Sequence, residues 1–217
     1  YIMIKAYFKK RILQFHVPAV TSRGTMLSKP VWYIFLFNEM EPEIIGIGEC
    51  SIIPGLSIDN ELLVEDKLNE ICNRFNSGEN TFEGNLKDFP GVTFALETAL
   101  LDLEKKGSKI LFPSAFTEGK SGIKINGLVW MADLNSMIQQ VNDKIAKGFR
   151  CIKLKIGAIG IDNELSIIQR IRQYYSASEL EIRVDANGAF AIDSIENVLK
   201  RLAELEVHSI EQPIKPG

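Results

Sequence analysis

Lys153 and Lys155 stand two apart in the apolar segment CIKLKIG at 151–157, Asp185 lies in EIRVDA at 181–186, and Glu211 lies in SIEQP at 209–213. Side chains alternate faces along a strand, so the two lysines project from one face with Leu154 between them on the other. Asp185 follows Lys155 by 30 residues and Glu211 follows Asp185 by 26, which puts one acid at the end of each of two further strands. The C-terminal ends of consecutive parallel strands are where α/β proteins assemble active sites. Two adjacent carboxylates repel unless a cation sits between them, and an oxygen-only set without His or Cys favours Mg²⁺, or Mn²⁺, over Zn²⁺. Lysine beside such a centre is a candidate base, and two ammonium groups on one strand face disfavour full protonation of both. Plainer roles compete: lysines blunt edge strands, and an isolated acid at a strand end caps a helix. Asn187, two residues past Asp185, serves equally well to hold a ligand group or to make the turn before Gly188.

Positioning these groups requires a particular order of elements. From residue 123 short apolar strands, expected at 123–127, 151–157, 181–186 and 209–213, alternate with helices at 133–147, 162–175 and 193–205. The first helix carries Leu134, Met137, Ile138, Val141 and Ile145 on one face, and the last carries Ile195, Val198, Leu199, Leu202 and Leu205. Strands joined by single helices run parallel with right-handed crossovers, which leaves a doubly wound sheet or part of a (β/α)8 barrel. No Gly-rich phosphate-binding fingerprint follows any of the strands, which weakens a nucleotide site. Residues 1–115 read differently, as an α+β domain. Strands are expected at 3–15 and 31–37 and again up to Glu49, exposed loops at 18–24 and 51–57, and helices at 59–76 and 92–106.

Composition narrows the partners. The 217 residues are 46% hydrophobic and 24% charged, with a net charge of −3, an ordinary globular balance without a basic field for nucleic acid. Neither a membrane-length apolar run nor a secretory signal pattern is present, so the expected location is cytoplasmic. Cys50, Cys72 and Cys151 lack zinc or disulfide spacing and read as buried thiols; His16 and His208 read as structural or surface residues.

The three strand motifs, Lys153-Leu154-Lys155, Arg183-Val184-Asp185-Ala186-Asn187-Gly188 and Ile210-Glu211-Gln212-Pro213, resemble those of the muconate-lactonizing subgroup of the enolase superfamily. The helical segment FALETALLD at 94–102 is similar to the one that precedes its barrel. The resemblance implies an N-terminal α+β capping domain at 1–115 and the first half of a (β/α)8 TIM-type barrel at 116–217, strands one to four. It further implies Lys155 as the base, Lys153 as its orienting and polarising neighbour, and Asp185 and Glu211 as two of three Mg²⁺ ligands. A lysine base with one or two Mg²⁺ ions is the superfamily's known chemistry rather than a consequence of these spacings. The segments Thr21-Ser22-Arg23-Gly24, Gly48-Glu49-Cys50-Ser51 and Pro54-Gly55-Leu56-Ser57 look like the capping-domain loops of o-succinylbenzoate synthases. That likeness makes Arg23 and Ser22 candidate contacts to a substrate carboxylate, with a solvated turn as the alternative for Arg23. Rival readings are an N-acylamino-acid racemase or dipeptide epimerase, and a non-catalytic scaffold. The expected partner is a small-molecule carboxylate, with neither nucleic acid nor membrane, and a homo-oligomer stays open. A chain that stops after the fourth strand reads as an incomplete copy of a longer enzyme, whose third metal ligand and second lysine would lie beyond Gly217.

Overall fold

In β2 (Gly24–Asn38) Trp32, Ile34 and Leu36 are fully buried, while Tyr33, Phe35 and Phe37 between them are half-buried, the alternation of a strand with one packed face. The computed structural model that shows this describes residues 3–21, 24–82 and 84–215. The chain divides between Gly122 and Ile123 into two units.

In the first unit β2 pairs antiparallel with both β1 (Ile4–Thr21) and β3 (Glu41–Cys50). Two helices, α1 (Glu61–Asn76) and α2 (Pro90–Glu104), bury Leu68, Ile71, Phe75, Val92, Ala95 and Ala99 against the packed face. α2 begins with Pro at its first position, where no N–H is needed, and Asp59 accepts the N–H groups of Gly91 (3.0 Å) and Val92 (3.2 Å). Near its other end buried Asp102 accepts from the backbone N–H of Ile47 on β3 (2.9 Å) and pairs with the ammonium of Lys109 (2.6 Å). Burial would raise the Asp102 pKa, but these donors hold the carboxyl below its ordinary range.

Glycine lets α2 come this close to β3. A Cβ on Gly48 would stand 1.7 Å from the backbone oxygen of Ala95, and one on Gly46 2.2 Å from that of Ala99. Backbone cannot swing aside as a side chain can, so Gly48→Ala should destabilise the unit by about 3 kcal/mol or more. Thermal unfolding checks this; an unchanged midpoint would mean that the helix and strand separate freely.

One expectation for this unit is corrected. Residues 18–21 and 24, expected in a loop, lie in strands, where Ala19 pairs with Met26 and Thr21 with Gly24; residues 22 and 23 lie outside the described residues. The register shifts between Gln14 and Ala19, and Pro18, which has no ladder donor to lose, falls inside that irregular stretch. The loop at 51–57 is present as expected, closed by the Leu56 N–H on the Ile53 oxygen at 3.0 Å.

The second unit is a four-stranded parallel sheet of β4 (Gly127–Val129), β5 (Cys151–Lys155), β6 (Glu181–Asp185) and β7 (Ser209–Glu211). The intervening helices are α3 (Leu134–Ala146), α4 (Ile161–Arg172) and α5 (Ile192–Glu204). Strand order follows chain order, β4-β5-β6-β7, as in the first half of a (β/α)8 barrel and without the reversal of a doubly wound sheet. Ile152, Leu154, Ile182 and Val184 bury one sheet face in a core with Met137, Val141, Leu165, Ile168, Val198 and Leu202. The first strand is a correction: it occupies 127–129 rather than 123–127, and Ile123 and Ile125 are exposed. Among the described residues no helix is long and apolar enough to cross a membrane.

Candidate active site

The face opposite that core carries the charged residues. Parallel register sets Lys153 beside Arg183, Lys155 beside Asp185, and Asp185 beside Glu211. The C-terminal residues of three consecutive strands thus form one row. Lys155 Nζ donates to Asp185 Oδ2 at 2.9 Å and to Asn187 Oδ1 at 2.8 Å. Lys153 Nζ lies 3.5 Å from the same Asp185 oxygen and donates to Glu211 Oε2. Asp185 is buried, its side chain 4% exposed; those of the two lysines are near 20%, and that of Glu211 is 55% exposed. The row therefore grades from a dry centre at Asp185 to a wet rim at Glu211.

The chain beyond the strands is bound as well. Asn187 and Gln212 both have left-handed backbones, at φ 47° and 43°, an unusual state for residues other than glycine. The Asn187 N–H donates to Asp185 Oδ1 at 3.1 Å, and the Gly188 N–H donates to the Gln212 oxygen at 2.7 Å. Asn187 makes the turn before Gly188, and its amide oxygen accepts from Lys155. Gln212 carries no signal in the sequence beyond its place after Glu211.

Charge pairing replaces the expected repulsion between the lysines. Each ammonium has a carboxylate against it, and Lys153 is held above its ordinary value, chiefly by Glu211, with burial opposing and Asp185 adding to the effect. Asp185 is the carboxylate that both ammonium groups share, and its charge opposes the repulsion between them. Burial alone would raise the Asp185 pKa, but the Lys155 ammonium, the Asn187 amide and the charge of Lys153 bring it below the aspartate range.

Ser22 and Arg23 lie outside the described residues. Cys50 and Cys72 are free, buried thiols, pushed up by burial to about 12 and about 11, which makes them poor nucleophiles; Cys151 is free and half-buried. His208 is exposed beside the Ser209 hydroxyl.

One ammonium nitrogen, Lys153 Nζ, lies in contact with both Asp185 and Glu211, so the two carboxylates converge on a point that a compact cation can share. Among the described residues no group of three or more His, Cys, Asp or Glu side chains gathers around a common site. Asp185 and Glu211 offer only oxygen donors, the kind that hard divalent ions take.

Residues 136–217 match the family described as enolase C-terminal domain-like. The whole chain is 38% identical to an o-succinylbenzoate synthase from Desulfotalea psychrophila, over 96% of this chain and 64% of that protein. The chain belongs to the enolase superfamily. Among solved structures, MenC from Desulfotalea psychrophila LSv54 superposes with a TM-score of 0.80 at 35% identity, over 97% of this chain and 64% of that one. The o-succinylbenzoate synthase from Thermosynechococcus elongatus BP-1, solved with Mg in its active site, gives 0.78 at 18% identity, over 98% and 62%. At that identity the second likeness speaks for the fold alone. The chain spans a little under two thirds of the length of each of these relatives.

Proposed function

We propose that the protein carrying this chain is an o-succinylbenzoate synthase, a Mg²⁺-dependent carbon–oxygen lyase. It removes the α-proton of 2-succinyl-6-hydroxy-2,4-cyclohexadiene-1-carboxylate and expels the ring hydroxyl as water, leaving the aromatic o-succinylbenzoate. The observation that carries this reading is Lys155, set on the strand row by Asp185 and Asn187 beside two converging carboxylates. The 38% identity to an o-succinylbenzoate synthase supports the choice of substrate.

Asp185 and Glu211 are the chain's candidate Mg²⁺ ligands. The ion, when bound, supplies positive charge for the substrate carboxylate and for the negative charge that develops as the proton leaves. Lys155 acts as base from its neutral form, taking the α-proton at Nζ. Asn187 Oδ1 and Asp185 Oδ2 fix where that nitrogen sits. Lys153 keeps a positive charge next to the base and braces Glu211. Arg23 and Ser22 remain candidates for the substrate's carboxylate, by likeness of their segment to synthase loops.

Dehydration and epimerisation both begin by removing an α-proton, so substrate choice needs its own test. With Mg²⁺, the protein should turn the cyclohexadiene carboxylate into a product with aromatic ultraviolet absorption, and α-proton exchange on dipeptides should be slow. Fast dipeptide epimerisation without aromatic product would replace this reading by the epimerase one.

A further inference from the structure

Glu164, in the first turn of α4, is a carboxylate only 1% exposed. Its Oε1 accepts three consecutive backbone N–H groups, from Gly157 (2.7 Å), Ala158 (2.9 Å) and Ile159 (3.2 Å), while Oε2 is buried without a hydrogen-bond partner. Burying a carboxylate with one bare oxygen costs stability, and the three amides at the positive end of α4 offset only part of that. The amides belong to the turn that leaves β5 directly after Lys155. On its strand side this turn is tied to the site by the Ile156 N–H, which donates to the Asp185 oxygen at 2.9 Å. On its other side a Cβ at Gly157 would stand 2.3 Å from Ala189 Cβ, so the turn lies against the loop after β6 that carries Asn187.

Among the described residues the other strand-to-helix turns of this unit close without three amides on one buried carboxylate oxygen. After β6 the Gly188 and Phe190 N–H groups donate to the oxygens of Gln212 and Pro213; before α3 the exposed Asp133 accepts from the Ser136 N–H. Three consecutive amides gathered by one buried carboxylate oxygen are therefore particular to the turn after β5, since after β6 the buried Asp185 accepts only the Asn187 N–H. That turn stands where the chain leaves the candidate base.

The geometry points to Glu164 as a positioning residue for Lys155: by gathering the amides of residues 157–159 it sets the strand exit and the loop that bears Asn187, and so the aim of Lys155 Nζ. This rests on the reading of Lys155 as base. Two variants separate reach from charge in the protein that carries this chain. Glu164→Gln keeps an acceptor oxygen at the same reach; Glu164→Asp keeps the charge and falls short of the three amides. Steady-state dehydration should show kcat down about 10-fold or more in Glu164→Asp with KM within about 3-fold, and near wild type in Glu164→Gln, since small misplacement of a reacting group costs up to about 100-fold. Arg172→Ala, at the far end of the same helix, removes bonds to the Leu205 and Leu180 oxygens and should lower the melting temperature with kcat unchanged. Hydrogen–deuterium exchange supplies a readout without substrate: peptides covering 156–160 and 186–190 should exchange faster in Glu164→Asp and not in Glu164→Gln. Absence of aromatic product from the wild type would defeat the proposed reaction, and the exchange comparison would still decide the role of Glu164. Unchanged exchange in Glu164→Asp, a kcat that falls only as it does in Arg172→Ala, or a larger loss in Glu164→Gln than in Glu164→Asp would overturn it.

Discussion

Lys155→Arg should lower kcat for dehydration by at least about 1,000-fold, within the range that a positioned base contributes. Arginine keeps the positive charge, so Asp185 and Asn187 retain a cationic donor and the row stays neutralised. It does not give up its proton near neutral pH, and so cannot take one from carbon. Folding and Mg²⁺ binding should be close to wild type, which separates loss of the base from loss of the site. Lys153→Arg should be milder, because the charge beside Glu211 and Asp185 is preserved. Near-normal turnover in Lys155→Arg together with a dead Lys153→Arg would exchange the roles of the two lysines.

Asp185→Asn should weaken Mg²⁺ binding by at least about 100-fold and abolish turnover, more than the 10- to 100-fold typical of residues that only support a ligand. The amide is nearly the same size and leaves the Asn187 N–H an acceptor, so the β6 end should keep its shape. What changes is charge: Lys153 and Lys155 would share the row with Glu211 alone, whose side chain is largely exposed. The pH dependence follows from the sign of the shift. Because Asp185 is held below the aspartate range when folded, its contribution to stability is complete above that range and is lost as pH falls through the lowered value. The acid limb of the stability curve should therefore be shallower in Asp185→Asn. Calorimetric titration with Mg²⁺ and acid unfolding read the two effects, and unchanged metal affinity would remove Asp185 from the ligand set.

The row itself was legible in the sequence because strand periodicity and one βα unit per step fix which side chains meet. Lys155, Asp185 and Glu211 are register neighbours on three strands, as the spacing required. The pairing inside the row was not legible. Repulsion between two lysines follows from a single strand, whereas the acid they share comes from the next one. Boundaries failed where local propensity competed with pairing. Residues 18–24 are rich in turn formers, yet β2 offers partners, and a bulge takes Pro18 out of the ladder. The apolar alternation at 123–127 suggested a strand, but β5 offers pairing to Gly127–Val129, and Ile123 and Ile125 stay exposed. Glu164 gave the least warning, since an acid in the first turn of a helix is ordinary. Only its burial and three amide donors distinguish it.

Single-turnover chemistry with substrate deuterated at the α-carbon tests the central claim most directly. With Mg²⁺ present, the wild-type protein should form the aromatic product several-fold more slowly from the deuterated than from the ordinary substrate, and Lys155→Arg should form none from either. Aromatic product appearing at the wild-type rate in Lys155→Arg would contradict the assignment of Lys155 as the group that takes the proton.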